Sequence, residues 1–198
     1  MYWIMLSNEF SIAYEKANEV LALIGHKNEQ MISTAAIIDA VEKMTNVDVK
    51  FSDYDFSKLS RENIDLSNYG AAMCVTNKNG EKTASILLNS KETTKKKRFS
   101  LVHELGHLVT ENLPENGKYK ISTHIDMNIT SISEENLKKY KFLVDEQIAN
   151  IFALLVLIPY DMLMDAFANY ESLDLVAEFF GVDKNAIVSR MLLEIKHS

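Results

Sequence analysis

The stretch RFSLVHELGHLV, residues 98–109, carries two histidines four positions apart, with a glutamate directly after the first. On an α-helix, four residues advance by about 400°, so His103 and His107 project from one face, roughly 6 Å apart along the axis. Both imidazoles can then reach one Zn²⁺ ion, which leaves room for a third ligand and a water molecule. Glu104 is close enough to accept a proton from that water. The stretch therefore predicts a metal-binding helix with Glu104 as its catalytic base.

The alternative for this helix is a solvated surface element with two incidental histidines. Its apolar residues argue against that alternative, because they predict a largely buried helix in which unpartnered histidines would be costly. These residues are Leu101, Val102, Leu105, Leu108 and Val109. Gly106 costs about 1 kcal/mol in helix propensity, and we expect it to give the metal and the substrate room. The context favours metal binding.

The third ligand must come from another part of the chain. His26, His124 and His197 are possible, but Glu146 in DEQIANIFALLVLIP (145–159) is the better candidate. It shares one helical face with residues that are small or polar, which suits packing against a metal-bearing helix: Ala149, Asn150 and Ala153. The alternative for Glu146 is a surface carboxylate, as the neighbouring Asp145 is expected to be.

Composition places the chain among ordinary globular proteins and indicates where it acts. It has 198 residues, of which 47% are hydrophobic and 25% charged, and a net charge of −7, which argues against general nucleic-acid affinity. The single cysteine, Cys74, provides neither an internal disulfide nor a cysteine-based zinc site. The N-terminal MYWIMLSNEF lacks the features of a signal peptide, and the longest apolar run, 148–159, is too short to cross a bilayer. We expect a cytoplasmic protein without membrane association.

The order of elements predicts an α+β fold that is mainly helical. Helical spacing covers residues 9–24, and Ser33 or Thr34 caps a second helix that ends near Met44. A strand follows at 47–51. Two further strands, within 69–80 and 81–89, flank Asn79-Gly80, which is a strong hairpin signal. A small sheet of about three strands, mostly antiparallel, is thus expected to pack on the two helices that carry the site.

The second half of the chain is predicted to be helical. Thr93 or Thr94 caps the HELGH helix, which runs to about Glu111, and Ser133 opens the glutamate helix, which runs to Pro159. The connection between them, 112–133, is polar and poorly periodic. Three short helical segments follow. We divide the chain into a metallopeptidase domain, 1–160, and a helix-turn-helix-like segment packed on it, 161–198.

Two stretches together resemble the ImmA/IrrE family of bacterial zinc metallopeptidases, which is gluzincin-like in its HExxH motif. One is Arg98-Phe99-Ser100 leading into His103–His107, and the other is the series Glu146, Ala149, Phe152 and Ala153 before Leu157-Ile158-Pro159. The tail LVAEFFGVDKNAIVSRMLLEI is also similar to the end of that family's domain. The resemblance covers most of residues 30–195.

The resemblance implies site roles and a substrate class. It implies that His103, His107 and Glu146 bind zinc and that Glu104 is the general base. It also implies cleavage or inactivation of a helix-turn-helix repressor. The chain departs from many members at Ile148, where a second acidic residue is common, and in its long 111–145 connection. No residue is assigned to stabilise the oxyanion, although Tyr119, His124 and Tyr140 are candidates.

Other functions and surfaces are also open to prediction. A non-catalytic module or a toxin-like protein could bind a repressor or antitoxin through the same fold, although the intact Glu104 favours catalysis. The run Lys95–Arg98 is more typical of a solvated first helical turn than of a docking surface. The C-terminal segment is expected to pack structurally rather than read DNA.

The strand ASILLN (84–89) directly precedes the HELGH helix. It should place Ser85, Leu87 and Asn89 on one face, with Ile86 and Leu88 on the other. If its edge is open, Ile86, Leu87 and Leu88 bind substrate by strand addition; the alternative is an ordinary strand with a covered edge.

Overall fold

The described chain begins with two helices that contribute residues to the hydrophobic core. The computed structural model describes residues 2–25, 31–58, 70–111, 120–121 and 134–197, and side chains within 10–25, 31–57, 70–111 and 142–194. α1 spans Tyr2–Ile24 and packs against the later helix α4 (Glu134–Leu157), while α2 spans Thr34–Thr45. The Ser33 hydroxyl accepts a hydrogen bond from the Ala36 backbone N–H, which confirms Ser33 as the N-cap of α2.

The sheet has three long strands and one short strand. β1 is Val47–Tyr54, β2 is Ala71–Lys78, β3 is Glu81–Asn89 and β4 is Lys120–Ile121. Their order is β1-β3-β2-β4, with β1 parallel to β3 and β2 antiparallel to both β3 and β4. Asn79 and Gly80 both have positive φ, 56° and 88°, which is the backbone of a type I′ turn and confirms the predicted hairpin.

β3 is a central strand, so the open-edge alternative for substrate binding is wrong. Residues 82–89 pair with β1 on one side, and residues 81–88 pair with β2 on the other. Ile86 and Leu88 are buried in the core, whereas Ser85 is exposed and Leu87 partly buried, as the alternation predicted. Asn89, expected on the face of Ser85 and Leu87, is instead buried. Because neighbouring strands already take up the backbone groups of Ile86, Leu87 and Leu88, a substrate cannot add there.

The HELGH helix follows β3 after a short turn. α3 spans Thr94–Thr110 with Thr93 as its N-cap, and it packs against α4 and against β2 and β3. Three helices follow α4: α5 at Tyr160–Asn169, α6 at Leu173–Phe180 and α7 at Lys184–His197. The prediction of a mainly helical α+β fold is confirmed. Of the predicted connection 112–133, only the two residues of β4 lie within the described part.

The C-terminal helices contribute to the same core as the sheet and α3. Val176, Phe180 and Ile187 belong to one buried cluster with residues of α1 to α4. Arg190 of α7 is 2% exposed, and its Nε donates to the Ile158 carbonyl beyond the end of α4. This packing agrees with the expected structural role of the segment, while a domain boundary near residue 160 stays a prediction.

The four cations at the start of α3 each have a different partner within the chain. Lys95 pairs with Glu178, Lys96 with Glu92 and Lys97 with Asp53. Arg98 donates to the Thr34 hydroxyl at 2.7 Å and to the Ile32 carbonyl at 2.6 Å. The three lysines fit the predicted solvated turn, but Arg98 instead ties α3 to the start of α2.

A membrane span requires a helix that is both long and apolar. No single helix among the described residues meets both requirements. One bent pair, Phe142–Leu157 with Tyr160–Asn169, meets them jointly across a 53° bend, by length and composition alone.

Candidate metal centre

The central part of α3 lies inside the protein. All residues from Leu101 to Leu108 are buried, and among them His107 and Glu104 are 0% exposed and His103 is 7% exposed. Three polar side chains on consecutive turns of such a helix need partners, because a buried polar group without one is costly. The burial expected from the apolar neighbours is therefore present.

α4 approaches α3 closely at Gly106. A Cβ atom built on Gly106 would lie 3.0 Å from Cδ1 of Phe152 and 3.1 Å from both Cα and the carbonyl oxygen of Ala149. The glycine thus makes room for the backbone of α4, not for metal or substrate as the sequence suggested. This close approach brings Glu146, one turn before Ala149, to the histidines of α3.

His103, His107 and Glu146 converge on one point. Nε2 of His103 lies 3.2 Å from Oε2 of Glu146, Nε2 of His107 lies 3.2 Å from Oε1 of Glu146, and the two Nε2 atoms lie 3.0 Å apart. Ligands at 2.0–2.1 Å from a tetrahedral zinc ion are separated by about 3.3 Å. The three side chains form a group that could hold a metal ion.

The chemistry of this donor set also fits a cation. Each imidazole directs its other nitrogen, Nδ1, at an oxygen: His103 at Oδ1 of Asn150, 2.9 Å away, and His107 at Oε1 of Glu111. A ring that donates from Nδ1 leaves a lone pair on Nε2 when it is neutral. Two lone pairs and a carboxylate then face one another, an arrangement that a bound cation stabilises.

The charge of Glu146 depends on the same neighbours. Burial raises the pKa of its carboxyl group, but hydrogen bonds and charge interactions with His103 and His107, which act when the Nε2 atoms carry protons, outweigh burial and lower the pKa from 4.5 to about 2. Glu146 is therefore a carboxylate at neutral pH. Asp145 is partly buried and is not part of the converging group.

The other residues proposed from the sequence fall into two sets. Ile148 is buried in the core, so no acidic side chain takes the place that many relatives give to one. His26, Tyr119 and His124 lie outside the described residues, and Tyr140 and His197 are described only as backbone in α4 and α7.

Sequence reasoning missed the two oxygens that face the Nδ1 atoms. Glu111 is four residues after His107, and Asn150 is four residues after Glu146. Helical neighbours at that spacing share a face, so this spacing was an available signal. What it could not reveal is that Asn150 contacts a histidine of the other helix.

Residues 42–192, well over half of the chain, match the family model Peptidase_M78, the IrrE N-terminal-like domain. The chain belongs to this peptidase family. The match extends from α2 to α7 and includes both helices of the metal centre. It confirms the resemblance that the HELGH and glutamate helices indicated, and a peptidase family implies a protein substrate. No curated protein matches the chain.

Proposed function

We propose that the chain is a zinc-dependent endopeptidase that hydrolyses a peptide bond in one specific protein. The observation that carries this proposal is the convergence of His103, His107 and Glu146 within 4.8 Å, beside a Glu104 that follows His103 on the same buried helix. Membership of the peptidase family supports the same reaction.

The residues proposed to hold zinc are His103, His107 and Glu146. Two imidazole nitrogens and one carboxylate oxygen are ligands that Zn²⁺ accepts, and three protein ligands are typical of a catalytic zinc site. When bound, zinc supplies Lewis-acid chemistry: it lowers the pKa of water and polarises the scissile carbonyl group.

Glu104 is the proposed general base. It directly follows His103 on the buried part of α3 and does not belong to the converging donor group. In hydrolysis, the water oxygen bonds to the carbonyl carbon and the C–N bond breaks. Glu104 takes a proton from the attacking water and delivers it to the leaving amine nitrogen, so the carboxylate is regenerated.

The proposed substrate is a helix-turn-helix transcriptional repressor, and the proposed location is the cytoplasm. The repressor rests on the likeness to the ImmA/IrrE metallopeptidases. The cytoplasmic location rests on the single cysteine, because disulfide-poor chains are typical of reducing compartments. Because β3 is paired on both sides, Ile86, Leu87 and Leu88 have no part in substrate binding in this proposal.

Glu104→Gln is the variant that tests catalysis most directly. It preserves size and removes only the proton acceptor, so zinc content and fold should persist while cleavage falls by about 10²–10⁴-fold. The measurement is the rate of cleavage of a purified helix-turn-helix repressor, the proposed substrate, together with zinc per chain by elemental analysis.

A matched control makes the same Glu-to-Gln substitution far from the site. Glu171→Gln, on an exposed residue between α5 and α6, should cleave like the wild type. Undiminished cleavage by Glu104→Gln would remove Glu104 from the mechanism. Repressor binding without cleavage by the zinc-loaded wild type would favour the non-catalytic alternative.

A further inference from the structure

We propose that Asn150 and Glu111 are positioning residues that hold His103 and His107 with the proton on Nδ1, so that both Nε2 atoms face Glu146. This inference rests on the metal site of the proposed function but concerns the two oxygens behind the ligands. Neither residue belongs to the converging donor group. Each would act on the metal only through a histidine.

Glu111 determines the state of His107 by simple donor and acceptor rules. An ionised carboxylate can only accept hydrogen bonds, so the contact between Oε1 of Glu111 and Nδ1 of His107 requires the proton on Nδ1. Glu146 competes for the single proton of the neutral ring at Nε2, 3.2 Å away, but the contact with Glu111 is the closer of the two, so Nε2 is left with a lone pair. A carboxylate behind a ligating histidine also makes the ring a stronger donor to a metal.

Asn150 acts on His103 in the same way but without a charge. Its Oδ1 lies 2.9 Å from Nδ1 of His103 and accepts that proton. The opposite orientation of the amide would turn an NH₂ group toward the ring and force the proton onto Nε2, which would block metal binding. The amide oxygen is therefore the orientation that agrees with the donor group.

The two positioning residues are built into the helices in complementary ways. Glu111 caps the end of α3, where its backbone N–H also donates to the His107 carbonyl at 3.1 Å. Asn150 lies one turn after Glu146, so α4 supplies both a ligand and the orienting oxygen for a ligand of α3. Displacing α4 would disturb both functions together.

Histidine tautomers provide a test that does not depend on activity. We would record long-range ¹H–¹⁵N correlation spectra of the full-length, metal-free protein at pH 8. In the wild type, both rings should show the Nδ1–H pattern. Glu111→Ala should release only His107 toward the Nε2–H form that free imidazoles prefer, and Asn150→Ala should release only His103.

Zinc affinity, measured by competition with a chromophoric chelator, provides the second readout. Each alanine variant should bind zinc about 10–100-fold more weakly than the wild type. Glu111→Gln and Asn150→Asp keep an acceptor, so they should keep the wild-type tautomers and bind zinc more tightly than the alanine variants. Asn185→Ala and Glu171→Ala, at exposed positions, are the controls and should match the wild type.

The outcomes separate this inference from the proposed function. Unchanged tautomers in both alanine variants would overturn it. So would alanine variants that bind zinc as tightly as the wild type. Should an alanine variant fail to fold by circular dichroism, Glu111→Gln and Asn150→Asp decide, because a shift of the contacted ring to the Nε2–H form in a variant that keeps the acceptor would overturn the inference. Fixed tautomers in a wild type that binds no zinc would support the positioning role and refute the zinc enzyme.

Discussion

Glu146 and Asp145 are adjacent carboxylates with different surroundings. Successive helical residues project about 100° apart, and only Glu146 faces the histidines, with 8% of its surface exposed. Glu146→Ala should therefore reduce zinc bound after dialysis to a small fraction of one ion per chain, while Asp145→Ala should leave zinc content almost unchanged. Elemental analysis of both variants is the measurement. Equal losses of zinc in the two variants would mean that Glu146 is not the specific zinc ligand of α4.

Residue spacing was enough to indicate the three side chains that converge, but not the oxygens behind them. His103 and His107 follow from a fixed helical repeat, and Glu146 from the small residues on its face. The contact between Asn150 and His103 depends on how two helices that are distant in sequence cross, and no local pattern encodes that crossing. For the same reason, the true neighbour of Gly106, the backbone of Ala149, could not be predicted.

At the scale of elements, the contact between α3 and α4 leaves no room for another methyl group. Gly106→Ala would place Cβ at 3.0–3.1 Å from Ala149 and Phe152, distances that force α4 outward. Overpacking of this kind costs about 1–3 kcal/mol, against a gain of about 1 kcal/mol in helix propensity. Urea unfolding should show a net loss of stability, and zinc affinity should fall because Glu146 moves with α4. A more stable variant with unchanged zinc affinity would contradict the tight contact.

Local signals predicted the elements better than their arrangement. Ser33 and Thr93 as caps, and Asn79-Gly80 as a hairpin turn, were correct because each signal acts within a few residues. The central position of β3 was not determined by any such signal. It results from the parallel pairing with β1, a strand that precedes β3 by more than 30 positions along the chain.

At the scale of the whole molecule, the C-terminal helices are poorly suited to phosphate binding. Acidic residues outnumber Lys and Arg from residue 171 onward. The Lys and Arg residues of this segment whose side chains are described form ion pairs with acidic residues of the same chain. Lys184 pairs with Asp174 at 3.0 Å, and Arg190 pairs with Glu194. We expect no sub-micromolar, salt-sensitive binding to duplex DNA in fluorescence anisotropy. Such binding by the full chain would contradict a purely structural role.

The depth of the donor atoms also determines how fast metal can be exchanged. With His107 at 0% and Glu146 at 8% exposure, a chelator cannot reach a bound ion until the protein opens locally. At high chelator concentration, the chelator captures zinc faster than the opened protein can close again. The rate of zinc loss should then level off and become independent of chelator concentration. Stopped-flow absorbance across a hundredfold range of chelator would show the plateau, whereas a rate that stays proportional to chelator would indicate direct attack on an accessible ion. The plateau value would then be the opening rate of the protein. This rate would be the upper limit on how fast any molecule enters or leaves the closed site.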